Sequence, residues 1–384
     1  MKFDFVVLGA TGLQGRIVSK DLLENGYSVL LCGRNKSRAE YLLNKYKKTG
    51  FQYFDAKDTG KIASIVKSSG ANVVVNCVEG DWNLGALESC IKANAHSLDL
   101  GSDIGMTKKQ LQLHSVLKDK NLVHITGCGS IPGVCNVMFR YASKKFDVIN
   151  KVDLGFDWDS NIKKFVVPFS IQSIIEEFVN PALIVKHGKF VKINPLDSVK
   201  YCYTRAVGKQ KCFNESNHPE CYTFFHYYDS MGLKDVKTYA GFPNHSFEKI
   251  MSMIELGFGG TEEIDFNGAK IVPVEFLTEM LKNLPIPVGY KETENLWVNI
   301  DGKKDGKAKS IKMECIVPTL KGWEDAGCNI DTGMPASIMA QMVKNNVITE
   351  RGSFAPEAII PHQIFFQELK KRKMNVYENG KIIN

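Results

Sequence analysis

The first 130 residues alternate short apolar runs with segments of helical spacing, and this alternation constrains the fold more than any other feature. The run "FDFVVL" at 3–8 has no polar alternation, which is typical of a strand buried on both faces of a parallel sheet. Further strands are predicted after "ENG" at 24–26 and at 51–54, 72–78, 97–100 and 122–127, with helices at 12–23, 36–48, 58–68, 83–94 and 106–119. The pattern predicts an α/β fold with a doubly wound parallel sheet.

A glycine cluster, "GATGLQG", fills the turn between the first predicted strand and the first predicted helix. Gly9 permits the tight turn, Gly12 allows backbone N–H groups to approach a pyrophosphate, and Gly15 allows close packing of helix on strand. The intervening Thr11, Leu13 and Gln14 are predicted to lie along the same ligand. Because the cluster sits between a strand and a helix, it indicates a Rossmann dinucleotide-binding site; a glycine turn without a ligand is the alternative.

The residues after the second predicted strand indicate which dinucleotide binds. NAD-selective sites usually place an acidic residue there, whereas a 2'-phosphate requires its absence and a nearby arginine. This chain has Cys32, Gly33 and Arg34 at that position, with Arg38 one turn further on. We therefore predict NADP(H) rather than NAD(H), with Arg34 on the 2'-phosphate; a solvated loop cation is the alternative reading of Arg34.

Residues that follow the third and fourth predicted strands complete the predicted cofactor site. Asp55 suits the adenine edge, although a loop N-cap is an equally ordinary role for it. Asn76, Cys77 and Val78 end the fourth strand on the side where ligands of such sheets lie, so they are assigned to the nicotinamide ribose and ring. Glu79 and Asp81 follow directly, and either could face the substrate; we assign Glu79 to it.

The alternation ends near residue 146, and the remaining chain predicts a second domain. "KVDLGFDW" (151–158), "AKIVPVEFL" (269–277), "NLWVNIDG" (295–302) and "SIKMECIVPT" (310–319) are typical strands of a mixed sheet, and "GKKDGK" at 302–307 predicts a hairpin turn. Helical spacing returns from Pro335. The predicted layout is a Rossmann domain (1–130), an inserted α+β mixed-sheet substrate domain (131–334) and C-terminal helices (335–384) that return to the first domain.

Composition narrows the class of protein. With 44% hydrophobic and 24% charged residues, no apolar run of membrane-spanning length and no signal-like first segment, the chain is expected to be soluble and cytoplasmic, without a membrane partner. The ten cysteines contain no CxxC pair, which favours reduced thiols over disulfides or a metal site. The net charge of +7 is dispersed, so nucleic-acid binding is not expected.

The chain resembles the saccharopine dehydrogenase-like family over nearly its whole length. The resemblance rests on the order of "LGATGLQGR", "VVNCV", "GALESCIKANAHSLDLGSD", "GCGSIPGVCN", "FSIQSIIEEFVNPALIVKHGKFVKINPL", "NHPECYT", "GKKDGK" and "TGMPASIMAQMV". It implies a Rossmann domain paired with a mixed-sheet domain, a homodimer formed through the second domain, and hydride transfer between a nicotinamide cofactor and a C–N bond of an amino-acid substrate.

The same resemblance suggests residues for the substrate site. The segment ending the fifth predicted strand contains Asp99, a substrate residue by this comparison, and Asp103 just beyond it is assigned as the catalytic group that handles the amine proton. A helix N-cap is an equally ordinary role for Asp103.

Two further substrate residues come from the second domain. Glu176 and Glu177 lie at a position that the family uses near its substrate pocket. Since adjacent residues cannot share one helix face, one is expected to bind a substrate ammonium and the other to be solvated, and we assign Glu177 to the ammonium. Lys237, or alternatively Arg205, is assigned to a substrate carboxylate. The chain departs from relatives by having Cys128 and Ser130 in a region where a carboxylate is expected, so its substrate stays open.

The sequence leaves four hypotheses for the function, three enzyme reactions and one binding role. Reduction that forms saccharopine is the leading hypothesis, with the lysine 6-dehydrogenase and carboxynorspermidine dehydrogenase reactions as alternatives. A non-catalytic NADP sensor is the further alternative, because glycine turns of this form also occur in regulatory proteins.

Overall fold

Six short strands at the start of the chain form a parallel sheet, as the sequence predicts. A computed structural model describes residues 2–167, 171–216, 218–281 and 284–384. Phe169, Ser170 and Asn217, which belong to two of the segments that carry the family resemblance, lie outside the described residues. The strands and helices of this first part are β1 (Phe5–Leu8), α1 (Leu13–Glu24), β2 (Val29–Gly33), α2 (Glu40–Lys45), β3 (Thr49–Tyr53), α3 (Thr59–Ser69), β4 (Val73–Asn76), α4 (Asn83–Ala93), β5 (His96–Asp99), α5 (Ile104–Gln112), α6 (His114–Asp119), β6 (Val123–Ile125) and α7 (Val134–Ser143).

A second group of elements follows and contains longer strands. They are β7 (Val148–Ser160), α8 (Ile171–Val179), β8 (Ala182–Lys186), β9 (Lys189–Ile193), β10 (Lys200–Thr204), β11 (Gly208–Asn214), α9 (Glu220–Tyr228), β12 (Asp235–Phe242), α10 (Asn244–Glu255), β13 (Ile264–Phe266), β14 (Ala269–Ile271), α11 (Pro273–Leu281), β15 (Glu292–Lys304) and β16 (Lys307–Pro318). The last elements are α12 (Ile330–Lys344), β17 (Gly352–Phe354), α13 (Pro356–Ile359), α14 (His362–Lys371), β18 (Asn375–Glu378) and β19 (Lys381–Ile382).

The described strands form two large sheets. The first is parallel, in the order β17-β6-β5-β4-β1-β2-β3, so β17 from the C-terminal segment adds a seventh strand that the sequence pattern did not predict. The second is mixed, in the order β10-β11-β12-β7-β15-β16-β18-β19, with β8 and β9 branching from β12. This arrangement is the predicted Rossmann sheet combined with a separate mixed-sheet domain.

The C-terminal segment contributes to both sheets, because β17 extends the first and the β18-β19 hairpin extends the second. Helix α12 begins at Ile330, so Pro335 lies inside it rather than at its start. Helix α12 packs against α1, and a Cβ added to Gly333 would lie 2.5 Å from Cγ2 of Ile17, so only glycine allows this approach.

Three predicted elements differ from the structure. The predicted helix at 36–48 is a 3₁₀ turn at Lys36–Ala39 followed by the short α2. The predicted helix at 106–119 divides into α5 and α6 at Leu113, where the next residue, His114, bonds the carbonyl of Ser353 in β17 at 3.1 Å. The segment "AKIVPVEFL" is a strand only over β14, because Pro273 ends that strand and starts α11.

The hairpin predicted at "GKKDGK" is confirmed. Strands β15 and β16 pair as far as Lys304 and Lys307, and the two residues between them, Asp305 and Gly306, have φ values of 51° and 73°. Two consecutive positive φ values are typical of the tight hairpin turn that an Asp-Gly pair predicts.

The expectation of reduced cysteines is wrong for one pair among the described residues. Cys202 and Cys212 form a disulfide with a Cα–Cα distance of 6.1 Å. Because β10 and β11 pair Lys200 with Cys212 and Cys202 with Gln210, the two cysteines are diagonal neighbours across the strands, within bonding reach. The other eight cysteines are free thiols. Within the described ranges no helix is long and apolar enough to cross a membrane.

Candidate active site

The glycine cluster forms a tight turn at the carboxyl end of β1. Gly9 has a φ of +75°, and the N–H of Gly12 donates to the carbonyl oxygen of Gly9 at 2.9 Å. A Cβ on Gly9 would lie 2.7 Å from the carbonyl oxygen of Cys77, and one on Gly15 would lie 2.2 Å from the carbonyl oxygen of Gly9. Side chains at these two positions would push the turn apart, so the glycines are required by local geometry.

A cavity of about 410 Å³ lies on one side of this turn, at the carboxyl ends of β1 to β4. Arg34, Arg38 and Lys57 line it together with Gly9, Thr11, Gly12, Gly33, Phe54, Asp55, Ala56, Cys77, Val78, Glu79, Asp81 and Trp82. A glycine turn at the start of a helix suits a pyrophosphate, and three cations in the lining suit an additional phosphate. These residues fit an NADP-type dinucleotide.

The remaining predicted cofactor residues play more local roles. Asp55 lines the cavity, and its Oδ1 accepts a hydrogen bond from the backbone N–H of Lys57 at 3.0 Å. Asn76 is buried outside the lining, where its amide donates to Asn83 at 2.8 Å. Leu13 packs against the core of the first domain. Gln14 points to the opposite side of the turn.

A second cavity, here called the acidic cleft, lies on that opposite side and has a volume of about 260 Å³. Its described lining residues are Gln14, Ser130, Ile131, Phe156, Trp158, Glu177, His218, Glu292, Glu294, Cys328, Asn329, Asp331 and Thr332. They come from the glycine turn, the loop after β6, the second sheet, helix α8, the loop before α9 and the start of α12. Four are carboxylic acids, and no described lining residue is a lysine or an arginine.

Gln14 connects the two cavities. It belongs to the first turn of α1, next to the glycines, and its Nε2 donates to Oδ1 of Asn329 at 3.4 Å. Its Oε1 is buried without a hydrogen-bond partner among the described residues. The glycine turn thus lines the dinucleotide cavity, and Gln14 beside it lines the acidic cleft.

Three carboxyls of the cleft lie close together at its β15 and α12 side. Oε2 of Glu292 accepts from the N–H of Cys328 at 3.0 Å, and Oδ1 of Asp331 accepts from the hydroxyl of Thr332 at 3.1 Å. Burial, together with the charge of Asp331, holds the pKa of Glu294 well above its usual range. Burial also raises the pKa of Asp331 and of Glu292. Without a counter-charge, these groups resist ionisation.

His218 is the cation-forming group of the cleft. Its Nε2 lies 3.2 Å from Oε2 of Glu215 and its Nδ1 lies 3.3 Å from Oε2 of Glu220. Both glutamates are fully buried. Burial alone would lower the pKa of His218, but the charges of Glu215 and Glu220 outweigh it and raise that pKa to about 10. The imidazole therefore carries its charge at neutral pH.

Glu177 reaches the same end of the cleft from α8. Its Oε2 is buried without a hydrogen-bond partner among the described residues. Burial, and then the charge of Glu215, hold the pKa of Glu177 well above its usual range, whereas His218 opposes that shift. Glu177 and His218 together form a site that can exchange protons with a bound ligand.

The other predicted substrate residues lie elsewhere. Asp103 caps α5, where its Oδ1 accepts from the N–H of Met106 at 2.9 Å, and it does not line the acidic cleft. Asp99 is buried and accepts hydrogen bonds from Gly101, Thr126, Gly127 and Gln110.

Lys237 and Glu79 also lie outside the acidic cleft. Lys237 pairs in register with Asp153 on the sheet face opposite Phe156 and Trp158, which line the cleft. Glu79 lines the dinucleotide cavity instead. Glu177 is thus the predicted substrate residue that the structure places in the acidic cleft.

Sequence reasoning missed His218, Glu292, Glu294 and Asp331. A signal existed for two of them: Glu292 and Glu294 lie two positions apart at the start of a strand whose next residues include "LWV", so they share a face. Asp331 lies only four residues before Pro335, where the predicted helix began. His218 lies inside "NHPECYT", a segment quoted for its family resemblance alone.

Two protein-family models match the chain. Residues 5–125 match the saccharopine dehydrogenase NADP binding domain and residues 129–374 match the saccharopine dehydrogenase C-terminal domain. Carboxyaminopropylagmatine dehydrogenase of Synechocystis sp. is 22% identical over 374 residues, which cover 93% of this chain and 92% of that protein. Carboxynorspermidine synthase of Vibrio cholerae is 23% identical over 344 residues, covering 83% and 80% of the two chains.

A solved structure shares the fold. Apo saccharopine dehydrogenase (L-Glu forming) from Saccharomyces cerevisiae superposes with a TM-score of 0.77 over 100% of both chains, at 12% sequence identity. With two matched domains that span most of its length, the chain belongs to the saccharopine dehydrogenase family of NADP-binding oxidoreductases.

Proposed function

We propose that this protein is an NADP(H)-dependent oxidoreductase that acts on a C–N bond of an amine-rich, cationic substrate, of the carboxyalkylated polyamine or agmatine type. The observation that carries the proposal is the acidic cleft beside Gln14: four carboxylic acids line it and no lysine or arginine does, among the described residues. A ligand with several ammonium or guanidinium groups would supply the missing positive charge.

Saccharopine, the leading hypothesis from the sequence, fits this cleft less well. Saccharopine brings several carboxylates, and each would need a cationic partner or would face like charge. Lys237, the cation assigned to such a carboxylate, lies on the opposite face of the second sheet. The names of the two relatives, carboxyaminopropylagmatine dehydrogenase and carboxynorspermidine synthase, agree with the cationic alternative.

The proposed chemistry needs a proton at nitrogen as well as a hydride at carbon. When bound, the dinucleotide supplies or accepts the hydride. His218 then donates a proton to the substrate nitrogen during reduction and takes one back during oxidation, since Glu215 and Glu220 hold it in the charged form. The side chain of Gln14 orients the ligand where the acidic cleft meets the glycine turn. Phe156 and Trp158 restrict water on the sheet side.

The preference for NADP(H) is part of the same proposal. Arg34, Arg38 and Lys57 all line the dinucleotide cavity. A 2'-phosphate can pair with all three, whereas the 2'-hydroxyl of NAD(H) finds no acidic partner at the end of β2. Dimerisation through the second domain remains a proposal that follows from family membership.

The test is a spectrophotometric assay of NADPH oxidation by the purified protein. We expect turnover with aspartate semialdehyde plus agmatine or 1,3-diaminopropane, and little with 2-aminoadipate semialdehyde plus glutamate. Faster turnover with 2-aminoadipate semialdehyde plus glutamate would instead support the reaction that forms saccharopine. Dinucleotide binding without turnover on either mixture, or with lysine and NADP⁺, would favour the NADP sensor.

A further inference from the structure

Two carboxyls from distant parts of the chain meet in the acidic cleft. Glu294 lies near the start of β15, in the centre of the second sheet, and Asp331 lies in the first turn of α12, which packs on the dinucleotide-binding helix α1. Both line the cleft, and their side chains are hydrogen-bonded to each other. A hydrogen bond between two carboxyls requires a proton on one of them. The ligand-free pair therefore holds a proton that two ionised carboxylates would lack.

Among the described residues that line the cleft, the surroundings of the pair provide hydrogen bonds but no lysine or arginine. Thr332 donates to Asp331, and Ser130 lies 3.1 Å from the hydroxyl of Thr332. The titratable groups that act on the pair from neighbouring elements are Glu292 on β15, Asp157 on β7, Cys315 on β16 and Cys328 before α12, and the acids among them add negative charge. His218, the cation of the cleft, forms ion pairs with Glu215 and Glu220.

We propose that Glu294 and Asp331 receive a cationic nitrogen of the substrate and release their shared proton to solvent when that nitrogen binds. This inference rests on the proposed function, because it places one amine or guanidinium group of the substrate between α12 and β15. The step involves no redox change. The carboxyl O–H bond breaks and its proton passes to solvent, and the cationic nitrogen then donates an N–H···O hydrogen bond to the ionised carboxylates.

The electrostatics of the cleft explain why binding of a cation favours release of the proton. Burial raises the pKa of Asp331 to about 7 and holds the pKa of Glu294 well above its usual range. An entering cation favours the fully ionised pair and so lowers both pKa values. Since the ionised pair is the binding form, amine affinity should rise with pH across the neutral range, by up to about tenfold per pH unit.

Isothermal titration calorimetry tests the proposal directly. The protein saturated with NADP⁺ is titrated with agmatine, 1,3-diaminopropane and spermidine at pH 7, in phosphate and in Tris, two buffers that differ in ionisation enthalpy. We expect release of about one proton per bound amine. Glu294→Gln should abolish most of this release and weaken binding by about tenfold or more.

Glu357→Gln is the matched control. Glu357 is a fully buried glutamate whose pKa burial raises to about 7, but it lies outside the acidic cleft and bonds Asn136. The control should leave both the proton count and the amine affinity unchanged. Thermal unfolding of both variants, compared with the wild type, shows whether each is folded.

The outcomes separate this proposal from the proposed function. Amine binding without proton release, or release that persists in folded Glu294→Gln, would overturn the role of the carboxyl pair while turnover on amine-containing mixtures still supports the function. Failure of all three amines to bind would also overturn it. Loss of the proposed function would be seen instead as absent turnover in the NADPH assay.

Discussion

The Nε2 atom of His218 lies 3.2 Å from Oε2 of Glu215, while its Nδ1 atom lies 3.3 Å from Oε2 of Glu220. One imidazole is thus held between two fully buried carboxylates. Because the two negative charges outweigh the effect of burial, the pKa of His218 rises to about 10. A proton donor held in this way stays charged through the neutral range and can deliver its proton when a substrate nitrogen needs it.

Replacement of His218 by glutamine should slow reduction without preventing cofactor binding. A glutamine fills similar space but cannot donate a mobile proton, so kcat should fall by about 10²-fold. The dissociation constant for NADPH, measured by fluorescence, should stay unchanged because His218 does not line the dinucleotide cavity. His226→Gln, at an exposed histidine of α9, is the control and should retain full activity. Full activity in His218→Gln would contradict the assignment.

The pH profile of reduction provides an independent check on the same residue. The charged form of His218 is the proton donor, and it is lost as the pH rises through about 10. The rate of imine reduction by the wild type should therefore fall on the alkaline side near that value, whereas oxidation of the amine, which needs the neutral form, should rise there. An alkaline fall in reduction that is identical in His218→Gln would assign the titration to another group.

Arg34→Ala should change the choice of cofactor. Loss of the guanidinium removes a charge-assisted contact to the 2'-phosphate, so the KM for NADPH should rise by about tenfold or more, while the KM for NADH should change little. Lys36→Ala is the matched control, because Lys36 is an exposed cation of the same loop outside the cavity lining. An equal rise in KM for both cofactors would show that Arg34 contacts a part that they share.

The dinucleotide cavity could be predicted from the sequence because its main residues are neighbours along the chain. The glycine turn and Arg34 occupy one continuous stretch of sequence, and the strand-turn-helix geometry places them without reference to the rest of the chain. Gly9, Gly12 and Gly15 could therefore be assigned roles from spacing alone, and the structure gives two of them the close backbone contacts that those roles require.

The acidic cleft could not be found in the same way. Glu177, His218, Glu294 and Asp331 come from a helix, a loop, a strand and a second helix that meet only after the two sheets have formed. The spacing of apolar residues identifies a helix or a strand, but it does not say which distant elements will pack against it. Strand β17 was missed for a related reason, since three residues are too few to show a period.

Asp103 offers a direct comparison between a capping role and a catalytic role. As the N-cap of α5 it satisfies the N–H of Met106, so Asp103→Ala should lower the free energy of unfolding by about 1 kcal/mol and leave kcat nearly unchanged. Asp103→Ser should retain the cap and the stability. If both variants instead lose about 10²-fold in kcat with unchanged thermal unfolding, Asp103 handles the amine proton after all.

The ion pair between Arg372 and Asp21 should be the most sensitive point of the contact between the C-terminal segment and the dinucleotide-binding helix. Nε and Nη2 of Arg372 each donate to Asp21 at 2.8 Å, and both side chains are at least nine-tenths buried. Arg372→Leu would leave the Asp21 carboxylate buried without a counter-charge, which should cost about 3–5 kcal/mol in urea unfolding followed by circular dichroism.

Two further variants separate the buried charge from lost packing at this contact. Lys371→Leu removes a neighbouring pair with Glu368 in which the lysine is 70% exposed, and it should cost less than about 1 kcal/mol. The double variant Asp21→Asn with Arg372→Leu should recover part of the loss, because it removes the stranded carboxylate as well. If Arg372→Leu costs no more than Lys371→Leu, the pair does not stabilise the contact between α14 and α1, and packing of α12 on α1 must hold the segment in place.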